Sequence, residues 1–182
     1  MLEEIQKELE IAKRVQQGLL DIDLTDLTSL TVAKKCIPAS NIGGDFYTFI
    51  IKESDSFVRH NKSPGIVEFV DQSHHYVGIG IGDVAGHGVS SALVMALASG
   101  LLNQIGSQVK SPSETLALTN KSLSKYIENS QVRYITLFYG VLNTQTKLFH
   151  YARGGHPPIF IQKKDGQFIE LGAEGLFLGM FP

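Results

Sequence analysis

Two aspartates stand out by what flanks them. Asp83 closes the apolar run Tyr76-Val77-Gly78-Ile79-Gly80-Ile81-Gly82 and is followed by Val84-Ala85-Gly86-His87-Gly88. Asp45 lies in Ile42-Gly43-Gly44-Asp45-Phe46-Tyr47. In both places an apolar strand meets a glycine turn whose backbone no side chain shields. A hard cation uses both features, the carboxylate and the bare main-chain oxygen. Oxygen ligands of this kind suit Mg²⁺ or Mn²⁺. If two such ions share a water, the water becomes hydroxide near neutral pH and attacks phosphorus in line, without a protein nucleophile. Each aspartate also has a plainer reading. Asp45 can be a turn residue after a Gly-Gly corner, and Asp83 a helix N-cap group.

The histidines are ambiguous. His87 is either a general acid or phosphate-orienting group, or the residue that fits a glycine-flanked turn and caps the next helix, which is favoured. His156, in Gly154-Gly155-His156-Pro157-Pro158, reads as part of a rigid structural corner rather than a ligand. His74-His75 reads as a solvated turn. Other chemistries fail on their patterns. The chain has no Gly-Lys-Ser/Thr loop, no Gly-x-Gly-x-x-Gly turn, no Gly-x-Ser-x-Gly elbow and no Cys-x-x-Cys pair.

These residues need a scaffold, and 182 residues suffice for one domain with a real core. Formal net charge is −2, which gives no electrostatic case for nucleic acid or an acidic membrane surface. The single cysteine, Cys36, excludes an internal disulfide and reads as a buried structural thiol in a reducing compartment. The N-terminus Met1-Leu2-Glu3-Glu4 is acidic, the wrong sign for a signal peptide. No apolar stretch is read as reaching the ~18 residues of a membrane span. The expectation is a cytoplasmic protein, or the cytoplasmic part of a larger one.

Residues 2–20 predict a helix with a/d spacing at Leu2, Ile5, Leu9, Ala12, Gln16 and Leu19. It is either packed on its own domain or the end of a dimerising, signal-carrying coiled coil. Residues 21–31 predict a loop, and 31–37 and 44–51 strands. The stretch 52–75 predicts a long insertion, within which Ile66–Val70 would pair with Tyr76–Gly82. Residues 89–105 predict a helix that presents Val89, Ala92, Leu93, Ala96, Leu97, Leu101 and Ile105 on one side and stops at Gly106. Ser111-Pro112 with Glu114 predicts the start of another, with a stripe of Leu116, Leu123, Tyr126 and Ile127. Strands follow at 134–142, 147–152, 159–162 and 167–171, the last two joined through Asp165-Gly166. Grouped strands and grouped helices indicate an α+β layering.

Three segments now act together. Ile42-Gly43-Gly44-Asp45-Phe46-Tyr47, Gly82-Asp83-Val84-Ala85-Gly86-His87-Gly88 and Gly154-Gly155-His156-Pro157-Pro158 stand in an order that resembles the SpoIIE-type serine phosphatases. These are the bacterial branch of the metal-dependent PPM, or type 2C, protein phosphatases. Tyr134–Gly140 and the leader Ala12–Leu20 fit as well. The resemblance implies two packed antiparallel β-sheets flanked by helices, with residues 1–20 a linker helix and 21–182 the phosphatase domain. It implies two Mn²⁺ or Mg²⁺ ions, with Asp45 and Asp83 as catalytic metal ligands and Val84 giving its carbonyl. Gly44, Gly86, His87 and Gly88 would form the loops at the metals. The implied partners are a phosphoserine or phosphothreonine protein, such as an anti-sigma-factor antagonist in a partner-switching circuit, and an upstream sensor or receiver domain. The heptad spacing of residues 2–20 separately allows a homodimer through that helix.

The chain departs from the family pattern in three places. Thr48 replaces a frequent aspartate, which implies a change around the ligands. The 52–75 stretch is longer than usual. The family's Thr-Asp-Gly segment and final aspartate have no match, so a truncated form is expected. Three readings follow: a serine/threonine phosphatase domain, a catalytically inactive phosphatase-like binding module, and a dimerisation and relay piece.

Overall fold

The apolar runs that carry the two aspartates pair with each other. The computed structural model describes the chain apart from residues 26, 28, 29, 53–75, 109, 110, 129 and 182. Its elements are α1 (Leu2–Leu20), β1 (Phe46–Lys52), β2 (Tyr76–Val84), α2 (Val89–Gln108), α3 (Pro112–Ile127), β3 (Ile135–Asn143), β4 (Phe149–Gly154), β5 (Ile159–Gln162) and β6 (Phe168–Leu171). One antiparallel sheet has the order β1-β2-β3-β4, and β5-β6 form a second, antiparallel sheet. Helices α2 and α3 pack on each other and on one face of the larger sheet. The α+β class with antiparallel sheets and flanking helices is therefore as expected.

The alternation of strand side chains divides the sheet into two faces. Phe46, Thr48 and Ile50 of β1 turn toward the helices, as do Ile135, Leu137, Tyr139 and Val141 of β3, and all are buried. Between them β2 offers glycine, at Gly78, Gly80 and Gly82. A Cβ on Gly80 would lie 2.9 Å from Leu102 of α2, and one on Gly82 would lie 2.6 Å from the Phe46 ring. The glycines are the space into which neighbouring rings and helix side chains pack. The Gly80-x-Gly82 spacing therefore serves packing on the helix side of the sheet.

Helix α2 departs from its sequence reading. It runs through Gly106 to Gln108, and Gly106 is buried. A Cβ there would meet Ile50 at 2.6 Å and the Tyr139 hydroxyl at 2.9 Å. So Gly106 is a packing position rather than a stop. The inward face carries Ser91, Ala92, Met95, Ala98, Ser99 and Leu102, whereas Val89 and Leu93 are exposed. The helix is apolar on most sides, so periodicity does not choose the face. Small residues win because the sheet approaches closely. By length and composition alone α2 would pass for a membrane span, contrary to the sequence reading, yet its buried face belongs to this core.

The other differences are local. Residues 31–37 alternate between exposed and partly buried but join no ladder, so the expected strand is absent. Ser111 caps α3 by accepting from the Glu114 N–H at 3.4 Å, with Pro112 in the first turn. Leu116, Leu123 and Ile127 are buried, but Tyr126 is exposed. The Asp165-Gly166 turn forms, with Gly166 at φ 86. The expected strand at 66–70 and the 52–75 insertion lie outside the described residues, apart from Lys52.

Gly100 and Gly106 separate propensity from packing within one helix. Nothing lies within 4 Å of a Cβ at Gly100. Gly100→Ala is expected to stabilise the domain by up to ~1 kcal/mol. Gly106→Ala is expected to destabilise it, because overpacking costs about 1–3 kcal/mol and exceeds the helix gain. Urea unfolding of both variants checks the opposite signs.

Candidate metal site

The register of β1 against β2 builds the site. Phe46 pairs with Gly82, so the residues one step further along, Asp45 and Asp83, face each other at the same end of the sheet. Both turn away from the helices, because their neighbours Phe46 and Gly82 turn toward them. Asp83 lies within β2 and not at the start of α2, so it is not the helix cap. Asp45 immediately precedes β1.

The two carboxyls act on each other. Partial burial pushes the Asp83 carboxyl above the ordinary carboxylate range, and the charge of Asp45 and a hydrogen bond with it push the same way. Two carboxylates so placed call for a proton or a cation between them. Gly44 completes the arrangement. A Cβ on it would sit 2.7 Å from the Val84 carbonyl oxygen, so glycine leaves that oxygen uncovered. The Val84 N–H donates to the Gly44 carbonyl at 3.3 Å and ties the two loops together. Two carboxylates and one open carbonyl are a donor set that fits a hard divalent ion. Among the described residues no three or more His, Cys, Asp or Glu side chains are placed to share one ion.

The loop after Val84 is held by its glycines. Gly86 and Gly88 have φ 103 and 78, a region that side-chain-bearing residues avoid. The Gly88 carbonyl accepts from the Ala92 N–H at 3.1 Å and from the Ser91 hydroxyl at 3.0 Å. Gly88 therefore starts α2. His87 is exposed and makes no hydrogen bond among the described residues, so its expected capping role is not met.

Three residues take positions that differ from their sequence reading. Gln16, counted as a heptad position, bonds the Gly43 peptide twice. Its amide donates to the Gly43 carbonyl at 2.8 Å and accepts from the Gly43 N–H at 3.0 Å. Thr48 is fully buried on the helix side and donates to the Asn103 side chain at 3.1 Å, so its departure from the family aspartate concerns the contact with α2. His156 stands in the site itself, on the wall of a cleft of about 300 Å³ with Lys35, Cys36, Asp45, Tyr47 and Ile81. No sequence periodicity signals this, because a loop after β4 delivers it. Cys36 is only partly buried, and its thiol lies 3.8 Å from the Asp45 carbonyl. Burial and the Asp45 charge push that thiol up, which suits a structural role. A second cleft, of about 440 Å³, lies between α3, β4 and residues 173–181 and contains neither aspartate.

The architecture is that of PP2C-type phosphatase domains. The SiaA PP2C domain of Pseudomonas aeruginosa superposes with a TM-score of 0.69 at 18% identity, over 98% of this chain and 64% of that one. The PP2C domain of SpoIIE from Bacillus subtilis, solved with a fragment of its regulatory domain, gives a TM-score of 0.52 at 17% identity, over 78% of this chain and 35% of that one. At such identity the likeness concerns the fold alone. The model of the family described as stage II sporulation protein E (SpoIIE) matches residues 73–182, and the chain belongs to that family. Phosphoserine phosphatase RsbU of Bacillus subtilis is 30% identical over 179 residues, 98% of this chain and 47% of RsbU. Phosphoserine phosphatase RsbP of the same organism is 25% identical over 177 residues, 96% of this chain and 39% of RsbP. The chain thus spans about half or less of these curated relatives.

The raised Asp83 carboxyl has a consequence for stability. A group whose folded pKa lies above its unfolded value favours the fold below the unfolded value and disfavours it as pH rises through the folded one. Metal-free Asp83→Asn is therefore expected to melt above the metal-free wild type at pH 7, with the gap closing below about pH 4. Adding Mn²⁺ is expected to stabilise the wild type more than the variant. Thermal melts with and without EDTA check both signs.

Proposed function

We propose that this domain is a metal-dependent protein serine/threonine phosphatase of bacterial signalling. The reading is carried by Asp45 opposite Asp83 across the β1–β2 ladder, beside the uncovered Val84 carbonyl. Family membership and relatives named phosphoserine phosphatases support it. Asp45, Asp83 and the Val84 carbonyl would hold Mn²⁺ or Mg²⁺, which when bound activates water and neutralises phosphoryl charge. Gly44, Gly86 and Gly88 keep the backbone open at that point. His87 is exposed between two glycines, where a substrate protein could reach it. The substrate class is a phosphoserine or phosphothreonine protein, an anti-sigma-factor antagonist being one candidate. The compartment that suits the partly buried free thiol of Cys36 is the cytoplasm.

Helix α1 supports a link to a partner or an upstream domain. Its apolar residues Leu2, Ile5, Ile11, Val15 and Leu19 are exposed, while Leu20 is buried and Gln16 holds the domain. On this reading residues 1–20 are a linker that pairs with a second copy, and 21–182 the catalytic domain.

The test is Mn²⁺-dependent phosphate release from a phosphoserine peptide. Asp83→Asn is expected to lower the rate at least 100-fold, with an unchanged circular dichroism spectrum. Wild-type activity in the variant would overturn the proposal. A second reading, a phosphatase-like module that binds a partner without turnover, draws on the small number of carboxylates gathered at the site among the described residues. It predicts partner binding that EDTA leaves unchanged.

A further inference from the structure

The Gly-Gly-His-Pro-Pro corner holds its histidine for use. Gly155 has φ 64, forms a bridge with Leu137 and donates its N–H to Gly175 at 3.0 Å. Two prolines of restricted φ follow. The backbone is thereby fixed on both sides of His156, and the half-buried ring lines the cleft that contains Asp45 and Lys35.

One ring nitrogen is committed. His156 Nδ1 lies 2.8 Å from the Thr136 hydroxyl, which is itself 3.5 Å from the Asp83 main-chain oxygen. Thr136 pairs with Asp83 across the β2–β3 ladder, so the hydroxyl is anchored by the same register as the carboxylate. The 2.8 Å contact accommodates either direction; when the hydroxyl donates to Nδ1, the 3.5 Å contact to the Asp83 oxygen, at the limit of hydrogen bonding, carries no proton. The proton of the neutral imidazole then sits on Nε2. Burial and the Arg153 charge favour that neutral form, against the pull of Asp45. The ring makes no other hydrogen bond among the described residues. In that tautomer Nε2–H is a spare, oriented donor.

We infer that His156 is a substrate-binding residue whose Nε2–H donates to a phosphoryl oxygen of the phosphomonoester in the Asp45 cleft. Lys35 adds positive charge at the rim, and Thr136 is the positioning residue that holds the tautomer. The identity of the ligand rests on the phosphatase reading. Asp45 repels an anion in the same cleft, so binding there requires a divalent cation.

The experiment is a titration of the ¹⁵N-labelled chain with a phosphoserine peptide, with and without Mg²⁺, read at the histidine ring nitrogens. The expected result is a Nε2–H tautomer at His156, lost in Thr136→Val, and a His156 shift only when Mg²⁺ and the phosphorylated peptide are both present. His156→Ala is expected to weaken peptide binding about ten-fold. His156→Gln, whose amide Nε2–H reaches a similar place, is expected to recover most of it. A Nδ1–H tautomer overturns the inference. So does a folded His156→Ala variant that binds like the wild type, a glutamine no better than alanine, or a wild type that binds no phosphopeptide. Hydrolysis in the same samples separates the two claims. Binding that depends on His156 without turnover sinks the phosphatase reading alone. Turnover and binding indifferent to His156→Ala sink this inference alone.

Discussion

The antiparallel register of β1 and β2 sets two acidic side chains opposite each other at one end of a sheet. Like charges facing across a ladder oppose folding, and the Asp45 charge adds to the partial burial that pushes the Asp83 carboxyl up. The arrangement is a candidate place for a cation. The same register decides everything around it. Because side chains alternate, Phe46, Thr48 and Ile50 enter the core only if Asp45 and Tyr47 face the other way. A slip of one residue would carry Asp45 into the helix-facing core and Phe46 out of it.

Packing on the helix side protects that register. The glycines of β2 accept Tyr139, Leu102 and the Phe46 ring in the space their missing side chains leave. The fit has a cost of its own. Burial pushes the Tyr139 phenol up to about 12, and its oxygen has no hydrogen-bond partner among the described residues. An unpaired buried hydroxyl costs roughly 1–3 kcal/mol. The ring stays because its apolar surface fills the sheet–helix interface between Gly78, Gly80 and Gly106.

The opposite side of the site is tied to α1. Gln16 grips the Gly43 peptide with donor and acceptor together, and two residues later the chain presents Asp45. The loop that leads into Asp45 is thus held by a helix whose own apolar residues remain largely exposed. The docking stripe of α1 is Leu9, Lys13, Gln16 and Leu20, not the full a/d set counted from the heptad.

Features with short-range causes were legible in the sequence. They include the extent of α1, the Ser111-Pro112 start of α3, the Asp165-Gly166 hairpin, the α+β class and the candidacy of Asp45 and Asp83. Each follows from propensity, capping, turn chemistry or a glycine flank within a few residues. What joins distant residues was not legible. The inward face of α2, the role of Gly106, the grip of Gln16 on Gly43 and the entry of His156 into the Asp45 cleft all depend on which surfaces meet. An all-round apolar helix has no local preference for one face, and a loop histidine has no periodicity. The sequence by itself marked Asp45 and Asp83 as candidates for holding a hard cation. Only the tertiary structure decided that they oppose each other and what else faces them, because ladder register and side-chain packing are long-range constraints that no local window contains.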